Sequence, residues 1–135
     1  MIVDTGVLYA ALDRDDAAHE RSAACLTTRE PRVVPEPVIA ETAWLVRVRL
    51  GVLQQAAFIA RIDKAGAMIE AVRAEDRTRA ARLIATYKDL DLGYVDASIV
   101  AIAERLGEAR IATLDHRHFS VVRPRHLEAF ELVPH

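Results

Sequence analysis

Ile2-Val3-Asp4-Thr5-Gly6-Val7-Leu8, near the start of a 135-residue chain, decides the fold. Two β-branched residues run into Asp-Thr-Gly, after which Val7, Leu8, Ala11 and Leu12 recur at helical spacing. That reads as strand, turn, helix. The pattern returns downstream. A helix capped by Asp15 or Asp16 runs to about Arg29, and Arg32-Val33-Val34 is a brief strand closed by Pro35 and Pro37. Pro37 suits the first turn of the next helix, where its missing N–H costs nothing. That helix carries Val38, Ile39, Leu45 and Val46 and stops near Gly51, and another runs from Val52 to about Lys64. Ala67-Met68-Ile69 with Ala71-Val72 is a third strand candidate, followed by an amphipathic helix from Glu75 to Tyr87. Tyr94 to Leu106 is the most apolar helix, with Gly107 as its C-cap. Arg110 to Leu114 reads as a strand, with further strands at Phe119–Val122 and Phe130–Val133. Short apolar strands alternating with helices indicate a parallel sheet covered on both faces. The expectation is an α/β chain in three layers. No repeat or linker divides it, so residues 1–135 read as a single domain.

Composition narrows the class. Hydrophobic residues make up 52% and charged residues 28%, enough apolar material for a packed core and too much for disorder. Cys25 has no partner, which excludes a disulfide scaffold. No stretch approaches the ~20 apolar residues of a bilayer span, and Asp4 stands where a signal peptide carries basic residues, so a cytoplasmic protein is expected. A net charge of −2 argues against gross electrostatic capture of nucleic acid without excluding it as substrate. Lys64 and Lys88 are the only lysines. Codon bias is the plainer reading of that balance, although arginine also grips phosphate bidentately.

Ligands of open parallel sheets bind beyond the carboxyl ends of the strands. Asp4 ends the first strand and Asp115 follows the strand that closes at Leu114, so both should project into one crevice. Glu41 shares a helical stripe with Val38, Leu45 and Val48, and Asp96 aligns with Ile99, Val100 and Ala103. Each acid has an ordinary reading when taken singly. Asp4 and Asp115 can cap or turn, Asp96 can answer a helix dipole, and Glu41 can pair with an arginine such as Arg49. Together they are harder to dismiss. Like charges ~5 Å apart repel by about 3 kcal/mol per pair at an effective dielectric of ~20, a large part of a domain's stability. Protons or a cation must relieve such a cluster. Carboxylate oxygens suit Mg²⁺, with Mn²⁺ substituting, and Thr5 and Thr113 stand ready to orient the acids or a water. The chemistry such a site supports is phosphodiester hydrolysis.

Ile2-Val3-Asp4-Thr5-Gly6, Glu41-Thr42-Ala43, Asp96-Ala97-Ser98-Ile99-Val100-Ala101 and Thr113-Leu114-Asp115, in this order across the whole chain, resemble the PIN-domain ribonucleases. The compact length is similar to the VapC-type toxins of bacterial toxin–antitoxin pairs. The resemblance implies a five-stranded sheet, a homodimer, a small antitoxin that occludes the site, and structured RNA, tRNA or rRNA, as substrate. It implies inhibition of translation by a Mg²⁺-dependent endoribonuclease. Asp4 and Asp96 match the principal metal ligands, Glu41 and Asp115 complete the acidic quartet, and Thr5 matches the hydroxyl after the first aspartate. Gly6 departs from the serine or asparagine common in the family.

Two alternatives stand beside the nuclease. A phosphohydrolase on a related sheet commonly places a second acid two residues after the first, and that position is Gly6. A non-catalytic RNA- or protein-binding relative is expected to have lost one of the acids, and none is missing. His116 and His118, with His126 further on, invite zinc, but no cysteine is near and a solvated loop is the plainer reading. Arg14 and Arg117 are candidates for RNA phosphate. Trp44 reads as core or dimer packing. Apolar residues on two faces between Pro37 and Lys64, namely Val38 and Leu45 against Ile39, Val46 and Leu50, suggest a homodimer.

Overall fold

Ile2–Val3 form β1, the central strand of the sheet, and both residues are fully buried. In the computed structural model, which describes residues 1–135, α1 (Thr5–Leu12) and α2 (His19–Leu26) lead to β2 (Val33–Pro35). Next come α3 (Glu36–Leu50), α4 (Val52–Arg61) and β3 (Met68–Glu70). The chain ends with α5 (Ala74–Thr86), α6 (Tyr94–Leu106), β4 (Arg110–Ala112), α7 (His116–Val121) and β5 (Glu131–Val133). The five strands form one sheet in the order β3-β2-β1-β4-β5, and every pairing is parallel. Seven helices flank it in the α/β arrangement expected.

The order places a switch at the centre. The chain steps outward from β1 to β3, then returns to the other side of β1 for β4 and β5. Ile2 and Val3 pair with Ile111 and Ala112, so β1 and β4 end level with one another. Connections leave this pair toward opposite sides, which opens a crevice at the carboxyl ends. Asp4 and Thr113 are the next residues of the two strands.

Burial follows the periodicities. Ile99, Val100, Ile102 and Ala103 of α6 are fully buried, and Gly107 ends that helix at φ +70°, a conformation open to glycine. Two ion-paired sites clamp α5 onto α6. Arg79 grips Glu104 through two bonds of 2.8 and 2.9 Å. Arg105 meets both oxygens of Asp76 and reaches Glu70 at 2.8 Å, tying α6 also to the end of β3.

Several expectations change. Phe119–Val122 is no strand: Phe119 lies in α7, because Asp115 caps that helix by accepting the Arg117 and His118 N–H groups. The sheet reaches five strands without it. Helix α2 starts only at His19, since the Asp16 side chain binds the Ala18 N–H and holds a turn. Ala71–Val72 lie beyond the end of β3. Val38, Ile39 and Val46 all fit into the core, so they do not supply the open apolar face. Trp44 and Val48 of α3 and Val52 and Leu53 of α4 do, with Trp44 60% and Leu53 82% exposed.

Candidate metal centre

The acid that ends β1 is held from two sides. Asp4 caps α1, its Oδ1 accepting the Thr5 N–H at 2.7 Å, while its Oδ2 accepts the Thr113 hydroxyl at 2.7 Å. The Thr113 oxygen in turn accepts the Asp115 N–H at 2.9 Å. A hydroxyl has one proton, and an ionised carboxylate and an amide N–H leave only this arrangement. Thr113 is fully buried, so its hydroxyl positions both acids from behind instead of reaching a ligand.

Asp115 and Asp96 meet at a histidine. Asp115 uses Oδ1 to cap α7, and its Oδ2 lies 2.7 Å from His118 Nδ1, an ion-pair contact without hydrogen-bond alignment. Asp96, in the first turn of α6, brings Oδ2 to 3.3 Å from the same nitrogen. Each of the three residues offers one donor atom, and all three atoms lie within 4.8 Å of one another. His118 Nε2 lies 3.0 Å from the Leu90 carbonyl oxygen, which fixes the ring.

The electrostatics bring in the remaining acids. Burial raises the Asp4 carboxyl above its usual range, opposed by the bonds from Thr113 and Thr5, with the Asp115 charge adding to the rise. Asp96 is pushed up to about 6, first by burial and then by the charge of Asp4. Asp115 and Glu41 add to that rise while His118 opposes it. Glu41 is raised by burial and by Asp4. All four acids therefore share one electrostatic neighbourhood.

Glu41 does not face inward as its stripe implied. Val38 is buried but Val48 is 62% exposed, so the row climbs from core to solvent and Glu41 sits at the rim. There it lines a cavity with Pro37, Tyr94 and Val95. Arg49 does not pair with it and stacks over the Tyr9 ring, 5.0 Å from the centroid.

The Thr5 hydroxyl is buried beside Asp4 with no hydrogen-bond partner, as is His118 Nδ1. Arg117 is exposed next to the crevice, its N–H on Asp115. Arg14 is exposed beyond the far end of α1, which puts a helix of about 12 Å between it and Asp4. His116 is exposed and His126 binds the Glu108 carbonyl, so of the three histidines only His118 joins the acids. Sequence reasoning put His118 in a solvated loop. Its signal was the spacing of three residues from a capping acid and its place before the buried Phe119.

The chain itself has relatives. The PIN domain family matches residues 1–123. The chain is a PIN domain. Over 135 residues it is 33% identical to "Ribonuclease VapC26" of Mycobacterium tuberculosis, covering 99% of this chain and all of the relative. The same backbone recurs in solved structures. VapC20 of Mycobacterium tuberculosis, described as a sarcin–ricin loop cleaving toxin, superposes with a TM-score of 0.80 at 20% identity, over 94% of this chain and 98% of its own. VapBC2 of Rickettsia felis, solved on a promoter DNA fragment, gives 0.70 at 16% identity over 98% of each chain. FitAcB of Neisseria gonorrhoeae gives 0.62 at 20% identity, over 84% of this chain and 86% of its own.

The donor set of this PIN domain fits a hard divalent cation. Carboxylates disfavoured as anions by burial and by one another, with an unpartnered hydroxyl beside them, gain from a positive charge among them.

Proposed function

We propose that this PIN domain is a Mg²⁺-dependent endoribonuclease, with Mn²⁺ able to substitute, that cleaves structured RNA. In this reading it is the cytoplasmic toxin of a toxin–antitoxin pair, acts on tRNA or rRNA and inhibits translation. One observation carries the reading: Asp4, Glu41, Asp96 and Asp115 gather at the switch point of a parallel sheet. The whole-length likeness to a protein called a ribonuclease supports it, and the description of VapC20 supports an rRNA target. The VapBC2 neighbour supports a cognate antitoxin.

Asp4 and Asp96 hold the cation, with Asp115 and Glu41 completing the cluster. When bound, the cation neutralises charge on the phosphodiester and makes water a nucleophile near neutral pH. Thr113 keeps Asp4 and Asp115 in register, and the buried Thr5 hydroxyl, which has no other partner, is free to orient Asp4 or a metal-bound water. Arg117 beside the crevice, and Arg14 at a greater distance, offset the acidic field toward RNA phosphates. The exposed row of Trp44, Val48, Val52 and Leu53 gives a homodimer or the antitoxin an apolar surface.

Cleavage of tRNA and rRNA by the purified protein tests this reading. Activity is expected with Mg²⁺ or Mn²⁺, is expected to vanish in EDTA, and is expected to be absent in a folded Asp4→Asn variant. Undiminished cleavage in excess chelator overturns the metal mechanism.

A further inference from the structure

We propose that His118 is a nitrogen ligand of the cation, binding through Nδ1 beside Asp96 and Asp115 and shifting the preference of the site from Mg²⁺ toward Mn²⁺. The inference deepens the nuclease reading and rests on it only for the presence of a cation.

The argument starts from the far side of the ring. A backbone carbonyl can only accept, so the 3.0 Å contact with Leu90 places a proton on Nε2. In the neutral form of the ring the lone pair is therefore on Nδ1. That atom is buried, makes no aligned hydrogen bond, and lies 2.7 and 3.3 Å from two carboxylate oxygens. Two carboxylate oxygens this close to Nδ1 call for positive charge among them, supplied by a proton on Nδ1 or by a cation in its place. The mutual limit of 4.8 Å among the donor atoms of Asp96, Asp115 and His118 leaves one cation able to touch all three. Anchoring one ring nitrogen to a carbonyl so that the other faces a metal is how proteins orient histidine ligands.

The consequence is selectivity. Mg²⁺ favours oxygen donors, keeps several waters and demands near-ideal octahedral geometry. Transition ions accept imidazole more readily, and Mn²⁺ combines that tolerance with an affinity for carboxylates. An all-carboxylate cluster would discriminate less between the two ions.

Electron spin-echo modulation of Mn²⁺ bound to the untagged full-length protein reads the contact directly. Nitrogen modulation is expected and should change character when histidine is ¹⁵N-labelled. It should vanish in His118→Ala and persist in His116→Ala, the exposed neighbour. Titration calorimetry should show Mn²⁺ affinity falling at least about tenfold in His118→Ala, with a smaller loss for Mg²⁺. If His118→Ala does not fold, His118→Gln keeps a donor for the Leu90 carbonyl and takes its place. Bound Mn²⁺ without nitrogen modulation, modulation that survives loss of His118, or equal losses for both ions overturns the ligand assignment and leaves the nuclease reading standing. Failure of both ions to bind overturns both.

Discussion

Asp96 carries its charge at a place where the fold opposes it. Burial and the neighbouring Asp4 raise its pKa to about 6, above the ordinary 3.8 that it keeps in the unfolded chain. Ionisation therefore costs the native state more than the unfolded one, and without metal the stability tied to Asp96 falls as pH rises from about 4 through 6. Asp96→Asn should accordingly raise the melting temperature of metal-free protein near pH 8, with the gain shrinking toward pH ~4. Added Mg²⁺ should reverse the ranking, because only the wild type then gains from binding. Melting curves at the two pH values, each with and without Mg²⁺, check both statements. A variant that melts lower in metal-free buffer at both pH values would make Asp96 a structural acid. At this scale the sequence was informative where a residue's role follows from its place in its own element. Asp4, Asp115 and Asp96 stand at strand ends and a helix start, positions that periodicity exposes. His118 takes its role from the carbonyl of Leu90, 28 residues away, and no local pattern contains that contact.

Helix α6 delivers Asp96, and α6 is itself held by Arg105. The Arg105 side chain is 13% exposed and its partner Asp76 only 2%, so the pair is internal. Burial alone would raise Asp76, but hydrogen bonds from Arg105 and the Arg73 N–H more than offset it and hold the carboxyl below its usual range. Stability from this site is therefore present above the ordinary pKa of 3.8 and is lost as pH falls through the lower native value. Arg105→Met strands a buried anion and should cost about 3–5 kcal/mol in urea unfolding near pH 7. Its deficit should narrow in acid as Asp76 protonates; a deficit independent of pH would assign the loss to packing instead. The two ends of α6 could be placed from sequence, because Gly107 closes it and its apolar run is long. Helix α7 could not. Phe119-Ser120-Val121-Val122 has strand composition, and the capping by Asp115 that overrides it becomes visible only once that acid is seen to serve the helix as well as the crevice.

On the scale of the molecule, Trp44, Val48, Val52 and Leu53 leave an apolar row on α3 and α4 that no other part of the chain covers. Light scattering of the isolated protein at micromolar concentration should give twice the chain mass, and Leu53→Lys with Val48→Lys should return it to the monomer. A monomeric wild type would reserve that row for another partner. The pairing of β1 with β4 acts over a longer distance. The bond from Thr113 to Asp4 joins residues 109 positions apart, and Asp115 hangs from the same hydroxyl. During synthesis Asp4 is made 109 positions ahead of Thr113, and its carboxylate waits for that length of chain before this partner exists. A prematurely terminated product carries Asp4, Glu41 and even Asp96, yet lacks the strand that would bring Asp115 to them. The centre therefore cannot assemble on a nascent chain until β4 and Asp115 have been made.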